Sequence, residues 1–96
     1  MASHDDDGPA ISYQALRRGT TVRASDGTDV GTVRRVLDNA REHIFDGLVI
    51  ETRRGRRFVD APEVAHIAER AVTLAIGAEK VLELPVPRSR MLERLD

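Results

Sequence analysis

The chain opens with its densest set of candidate metal ligands, His4, Asp5, Asp6 and Asp7. Imidazole nitrogen and carboxylate oxygen suit divalent cations. The surrounding "MASHDDDGPAIS" lacks an apolar run that would hold these groups in a fixed geometry, so no metal site is expected. His43 sits beside Glu42 in a loop, and His66 flanks Ile67 in "EVAHIAE". Structural roles suit both, because no spacing matches a metalloprotease helix, an EF-hand loop or a zinc finger. There is no cysteine, which excludes thiolate metal sites, thiol nucleophiles and disulfides together. Ser3, Ser12, Ser25 and Ser89 fall in tail, turn or cap contexts, none in a nucleophile elbow. Asp26 and Asp29 flank a turn, where aspartate is expected to bond the backbone. Asp46 and Asp60 each interrupt an apolar strand, and pairing of 44–52 with 56–61 would bring them near each other or near Arg56 and Arg57. "GTDVGTV" has glycines four apart but no strand-turn-helix setting for a phosphate. These residues make no catalytic constellation, and neither enzymatic activity nor a cofactor is expected.

A second chemistry-bearing cluster lies in "ETRRGRRFVDAPEV", residues 51–64, with Arg53, Arg54, Arg56 and Arg57 around Gly55. Arg53, Arg54 and Gly55 form a short connection between two apolar strands, where a charged tip stays solvated and keeps a sheet edge from pairing with other chains. The same arginines offer a docking surface for an acidic partner, or for RNA. The formal net charge of −1 argues against general nucleic-acid affinity, which depends on phosphate neutralisation. Single-strand readers also stack bases on aromatic rings, and the aromatic fraction here is 3%.

The elements that must position these residues are mostly strands. "SYQALRRG" reads as a short helical turn with Ser12 as its cap, Leu16 facing inward and Gly19 as terminator. "TTVRA" (20–24) alternates and stops at "SDGTD", with Asp26-Gly27 at the centre of a reversal. "VGTVRRVLDN" (30–39) returns as a strand. Its apolar positions Val30, Val33, Val36 and Leu37 break period two, which predicts a bulge near Arg34-Arg35. A helix is the rival reading, and Gly31 with the β-branched Val30, Thr32, Val33 and Val36 favours strand. "IFDGLVIET" (44–52) is the strongest strand, with Leu48 and Ile50 on one face. Gly47 within it predicts a bulge or a close backbone contact. "RRFVDA" (56–61) is its partner, ended by Pro62. "EVAHIAE" (63–69) is a strand or a helical turn, and "RAVTLAI" (70–76) closes the set with Val72, Leu74 and Ile76 inward.

The chain has 96 residues, with a hydrophobic fraction of 41%. Its core must therefore come from Val, Leu, Ile and Ala, and so small a core is marginal, with association a common remedy. No signal peptide is recognised and no stretch nears the roughly 18 apolar residues of a membrane span, so no membrane association and a cytoplasmic location are expected. Residues 1–12 read as a disordered tail, 13–76 as the folded domain and 77–96 as a C-terminal tail. In that tail "AEKVLEL" suits two helical turns, "PVP" extended geometry, and "SRMLERLD" places Met91, Leu92 and Leu95 at helical spacing. Five or six short strands joined by tight turns predict a mainly β fold, a small barrel or sandwich.

Residues 13–76 resemble the PRC-barrel domain. The likeness rests on Gly19 and Val22, the turn "SDGTDVGTV" (25–33), the strand "FDGLVI" (45–50), "FVDAPEV" (58–64) and "VTLAI" (72–76). It implies a small β-barrel used for protein–protein contact, of the stand-alone bacterial kind, with no catalytic residues to transfer. The expected function is thus a non-catalytic interaction or scaffold module, homo-oligomeric as a dimer or joined to another protein. Its surface would use Arg53, Arg54, Arg56, Arg57, Val81, Leu82, Leu84, Met91, Leu92 and Leu95, together with an exposed strand edge such as 70–76. The alternative is an RNA- or ribosome-associated adaptor using the Arg53–Arg57 hairpin.

Overall fold

A computed structural model describes residues 7–39 and 41–87. The elements are β1 (Thr21–Arg23), β2 (Asp29–Asn39), β3 (Ile44–Thr52), β4 (Gly55–Asp60), β5 (Val64–Ile67), β6 (Ala71–Leu74) and the single-turn helix α1 (Ala78–Val81). Short 3-10 turns cover Tyr13–Ala15 and Ala61–Glu63. The fold is mainly β, as the turn spacing predicts. The strands form one mixed sheet in the order β4-β3-β2-β1-β6-β5. Neighbours run antiparallel except β1 and β6, which are parallel.

The predicted bulge is present. Val33 pairs with Ile50 and Arg35 with Val49, leaving Arg34 as the extra residue. A second bulge in the same ladder places Asp46 opposite the step from Leu37 to Asp38. Such bulges bend a strand and raise its twist, which lets the long β2–β3 ribbon curl over the core. Ser12 caps the first 3-10 turn through its hydroxyl, which accepts the Gln14 N–H, and Leu16 is buried. The aliphatic core is Leu16, Val22, Val33, Leu48, Ile50, Val59, Val72, Leu74 and Val81. Val49 and Leu37 are also buried. Val49 alternates with Leu48 and Ile50 and so lies on the opposite face of β3, between Arg35 and Phe58 in register.

Four expectations need correction. The sheet is curved but not closed into a barrel, because its edge strands β4 and β5 pair with other segments instead. Phe58 of β4 donates its N–H to the Pro85 carbonyl at 2.8 Å. Along β5, Ile11 donates to the Ile67 carbonyl, Glu69 to Pro9, and Ala10 bridges Ala68. Between β4 and β5 the chain turns through Ala61–Glu63, where Pro62 has no N–H to extend a ladder.

Residues 7–12, assigned by composition to a disordered tail, therefore belong to the folded unit, whereas 1–6 lie outside the described residues. Asp7 is buried and its carboxylate bonds Arg23. Strand 70–76 offers no free edge, since β6 lies between β1 and β5. Lastly, "AEKVLEL" makes one helical turn rather than two, and it is no appendage: Val81 is fully buried in the core, and Leu84 packs against it. Residues Met91, Leu92 and Leu95 lie outside the described residues.

Candidate interaction surface

The two-residue connection Arg53-Arg54 is held by Thr52. Its buried hydroxyl donates to the Gly55 carbonyl at 2.7 Å and accepts the Arg54 N–H at 3.1 Å. Gly55 follows with φ +100°, a conformation glycine adopts without a Cβ clash. The tip is thus a rigid feature with two exposed arginines at its apex. The other two arginines are spent differently. Arg56 stands opposite Glu51 across the ladder and bonds its carboxylate at 3.5 Å. Arg57 donates to the Arg56 carbonyl at 2.8 Å. Consecutive strand residues face opposite sides of a sheet, so the four do not make one continuous basic track.

Arg53 enters a different constellation. With Thr28, Asp29, Val30 and Gly31 from the start of β2, and Ala78 and Leu82 from α1 and the residue after it, Arg53 lines a cleft of about 370 Å³. Two residues singled out from sequence, Arg53 and Leu82, therefore meet across 29 positions of chain. The cleft exists because β2 and β3 approach closely. A Cβ on Gly31 would lie 2.1 Å from the Glu51 carbonyl oxygen. The neighbouring turn is fixed as well: Gly27 donates to the Ala24 carbonyl at 3.0 Å and Thr28 donates to the Asp26 carboxylate at 2.9 Å. That bond, the first cause, holds the Asp26 carboxyl below its ordinary range.

The charges of the cleft are unequal. Asp29 is engaged by the Arg23 Nε at 3.3 Å. Arg23 in turn bonds the Asp7 carboxylate at 2.6 Å, and this bond first, against the opposing effect of burial, raises the guanidinium pKa above its ordinary value. Arg53 has no ion-pair partner among the described residues. The cleft thus combines half-buried Val30, Ala78 and Leu82 with one uncommitted guanidinium. Such a pair has the chemistry to take an apolar side chain flanked by a carboxylate, since the planar fork of arginine can bind carboxylate in two parallel bonds.

The remaining candidates stay apart. Leu84 packs against the core and Arg54 stands outside the cleft lining. His43 lies 3.5 Å from the Gln14 amide, and His66 is exposed on β5. Asp60 faces Gly47 in register, and its N–H donates to the Glu63 carboxylate at the start of the 3-10 turn. It does not face Arg56, whose partner is Glu51. Among the described residues, no three His, Asp or Glu side chains converge as metal ligands would, and no helix is long and apolar enough to cross a membrane. His4, Asp5, Asp6, Ser3 and Ser89 lie outside the described residues. Sequence reasoning missed the wall at Thr28–Gly31 and the contribution of Ala78. The only signal was Gly31, an interior strand glycine of the kind that marks close backbone approach. No protein-family model matches this chain, and no curated protein matches it.

Proposed function

We propose that the chain is a protein-interaction module that associates with itself and performs no chemistry of its own. The observation that carries this reading is the cleft, in which the uncommitted Arg53 guanidinium stands beside an apolar floor of Val30, Ala78 and Leu82. Kinship with stand-alone PRC-barrel proteins belongs to the same proposal. It is supported by the sequence pattern at Gly19, Val22, 25–33, 45–50, 58–64 and 72–76, and by six strands that follow its segments. A cytoplasmic location belongs to the same proposal.

Light scattering coupled to size exclusion tests the reading on the full chain. A dimer or larger assembly at tens of micromolar is expected, weakened by Leu82→Glu and by Arg53→Glu. Circular dichroism on both variants checks that the sheet persists. A chain that stays monomeric to several hundred micromolar overturns self-association.

A further inference from the structure

We infer that the cleft receives residues 88–96 of a second copy of the chain, with Leu92 and Leu95 on its apolar floor and the carboxylate of Glu93 or Asp96 on Arg53. This rests on the interaction-module reading and names its partner. The first support is complementarity. The segment "RSRMLERLD" sets Met91, Leu92 and Leu95 at the spacing of one helical face, with Glu93 and Asp96 beside them. It supplies the apolar side chain and adjoining carboxylate that Val30, Ala78, Leu82 and Arg53 are arranged to take.

The second support is the direction of the chain. Leu82 sits in the cleft next to the hairpin tip. Pro85 accepts from Phe58, three residues along β4 from Gly55. The backbone therefore leaves the cleft and runs down β4 away from the tip. "PVP" at 85–87 stiffens that course, and Pro87 is buried. The described chain ends at Pro87, two residues past the Phe58 contact and outside the cleft lining. A segment arriving from a second copy needs no reversal of that course. Two copies that exchange these segments reciprocally fill both clefts and form a closed two-fold pair.

The full chain supports a direct test, because it has no cysteine to interfere. A Leu82→Cys, Leu95→Cys variant under mild oxidation is expected to give a cross-linked dimer. Leu95→Asp and Arg53→Glu are each expected to raise the dimer dissociation constant at least tenfold, and Arg53→Glu combined with Glu93→Arg and Asp96→Arg to recover most of that loss. A disulfide closed within a monomer places the segment in its own cleft and overturns exchange. A dimer weakened by Leu82→Glu but indifferent to Leu95→Asp also overturns this occupant, while leaving the interaction module standing. A chain that never self-associates overturns both.

Discussion

The carboxylate of Asp7 lies 2.6 Å from the guanidinium Nη1 of Arg23, with the Asp7 side chain 3% exposed and that of Arg23 25% exposed. This bond pins the segment before the first 3-10 turn onto β1, and through the Arg70 N–H, which donates to the Asp7 carbonyl at 2.8 Å, onto the start of β6. Removing one partner of a buried pair leaves a charge in a poorly solvated place. Because Arg23 keeps partial solvent access and Asp7 makes a further contact, Arg23→Met is expected to cost about 2–3 kcal/mol, below the full range for a buried pair. Replacing both residues, Asp7→Asn with Arg23→Met, is expected to cost less than Arg23→Met alone. Urea unfolding of the two single variants and the double variant measures the coupling.

Glycines at two positions are predicted to differ sharply in tolerance. Gly47 has φ +154°, and a Cβ there would stand 2.3 Å from the Val59 carbonyl oxygen and 3.0 Å from the Phe58 ring. Gly47→Ala must push β4 away from β3 and is expected to cost about 3 kcal/mol or more. Gly27 also has positive φ, but a Cβ there meets nothing within 4 Å, so Gly27→Ala is expected to cost only about 1–2 kcal/mol of backbone strain. Midpoint shifts in urea at unchanged slope separate the two cases.

Much of this architecture is legible locally. The broken alternation at Val33, Val36 and Leu37 points to the bulge found at Arg34, and Gly47 marks a true close approach. What local signals leave open is which distant segments meet. The parallel pairing of β1 with β6 joins residues some fifty positions apart, and no turn residue encodes it. Turn chemistry likewise does not decide whether the two edge strands of a curled sheet, here β4 and β5, touch, so an open sheet and a closed barrel share one pattern. Asp7 follows two other aspartates, and the partner that helps make its burial tolerable, Arg23, is distant in sequence. The cleft is hidden for the same reason, being assembled from 28–31, 53, 78 and 82.

Asp26 gives the turn beside the cleft a defined pH dependence. Its depressed pKa arises chiefly from accepting the Thr28 N–H in the folded chain. A carboxylate with a lower pKa folded than unfolded stabilises the fold above the unfolded value, near 4. That contribution is lost as pH falls through the folded value. The stability difference between the native chain and Asp26→Ala is thus expected to be constant above about pH 5 and to shrink below about pH 4. Asp26→Asn keeps an acceptor oxygen without the titration, so its turn contribution is expected to stay flat over the same range. Thermal unfolding from pH 3 to pH 7 compares all three.

The segment after β6 is predicted to be part of the fold up to Pro87 and dispensable to it beyond. Val81 is fully exposed to the core and closed to solvent, so Val81→Ala is expected to cost about 2–3 kcal/mol through lost burial and the cavity left behind. The Lys80 and Val81 N–H groups both bond the Gly77 carbonyl, which sets α1 at the angle that delivers this side chain. Ending the chain after Gly77 would remove Val81, Leu84 and the Pro85 carbonyl that occupies Phe58, opening the core and uncovering the β4 edge together. An uncovered edge pairs with other chains, so this truncation is expected to aggregate. Ending it after Pro87 leaves every one of these contacts in place and is expected to keep the β-sheet circular dichroism spectrum, with the urea midpoint that the full chain shows when dilute enough to be monomeric. Equal behaviour of the two truncations would show that α1 does not belong to the core.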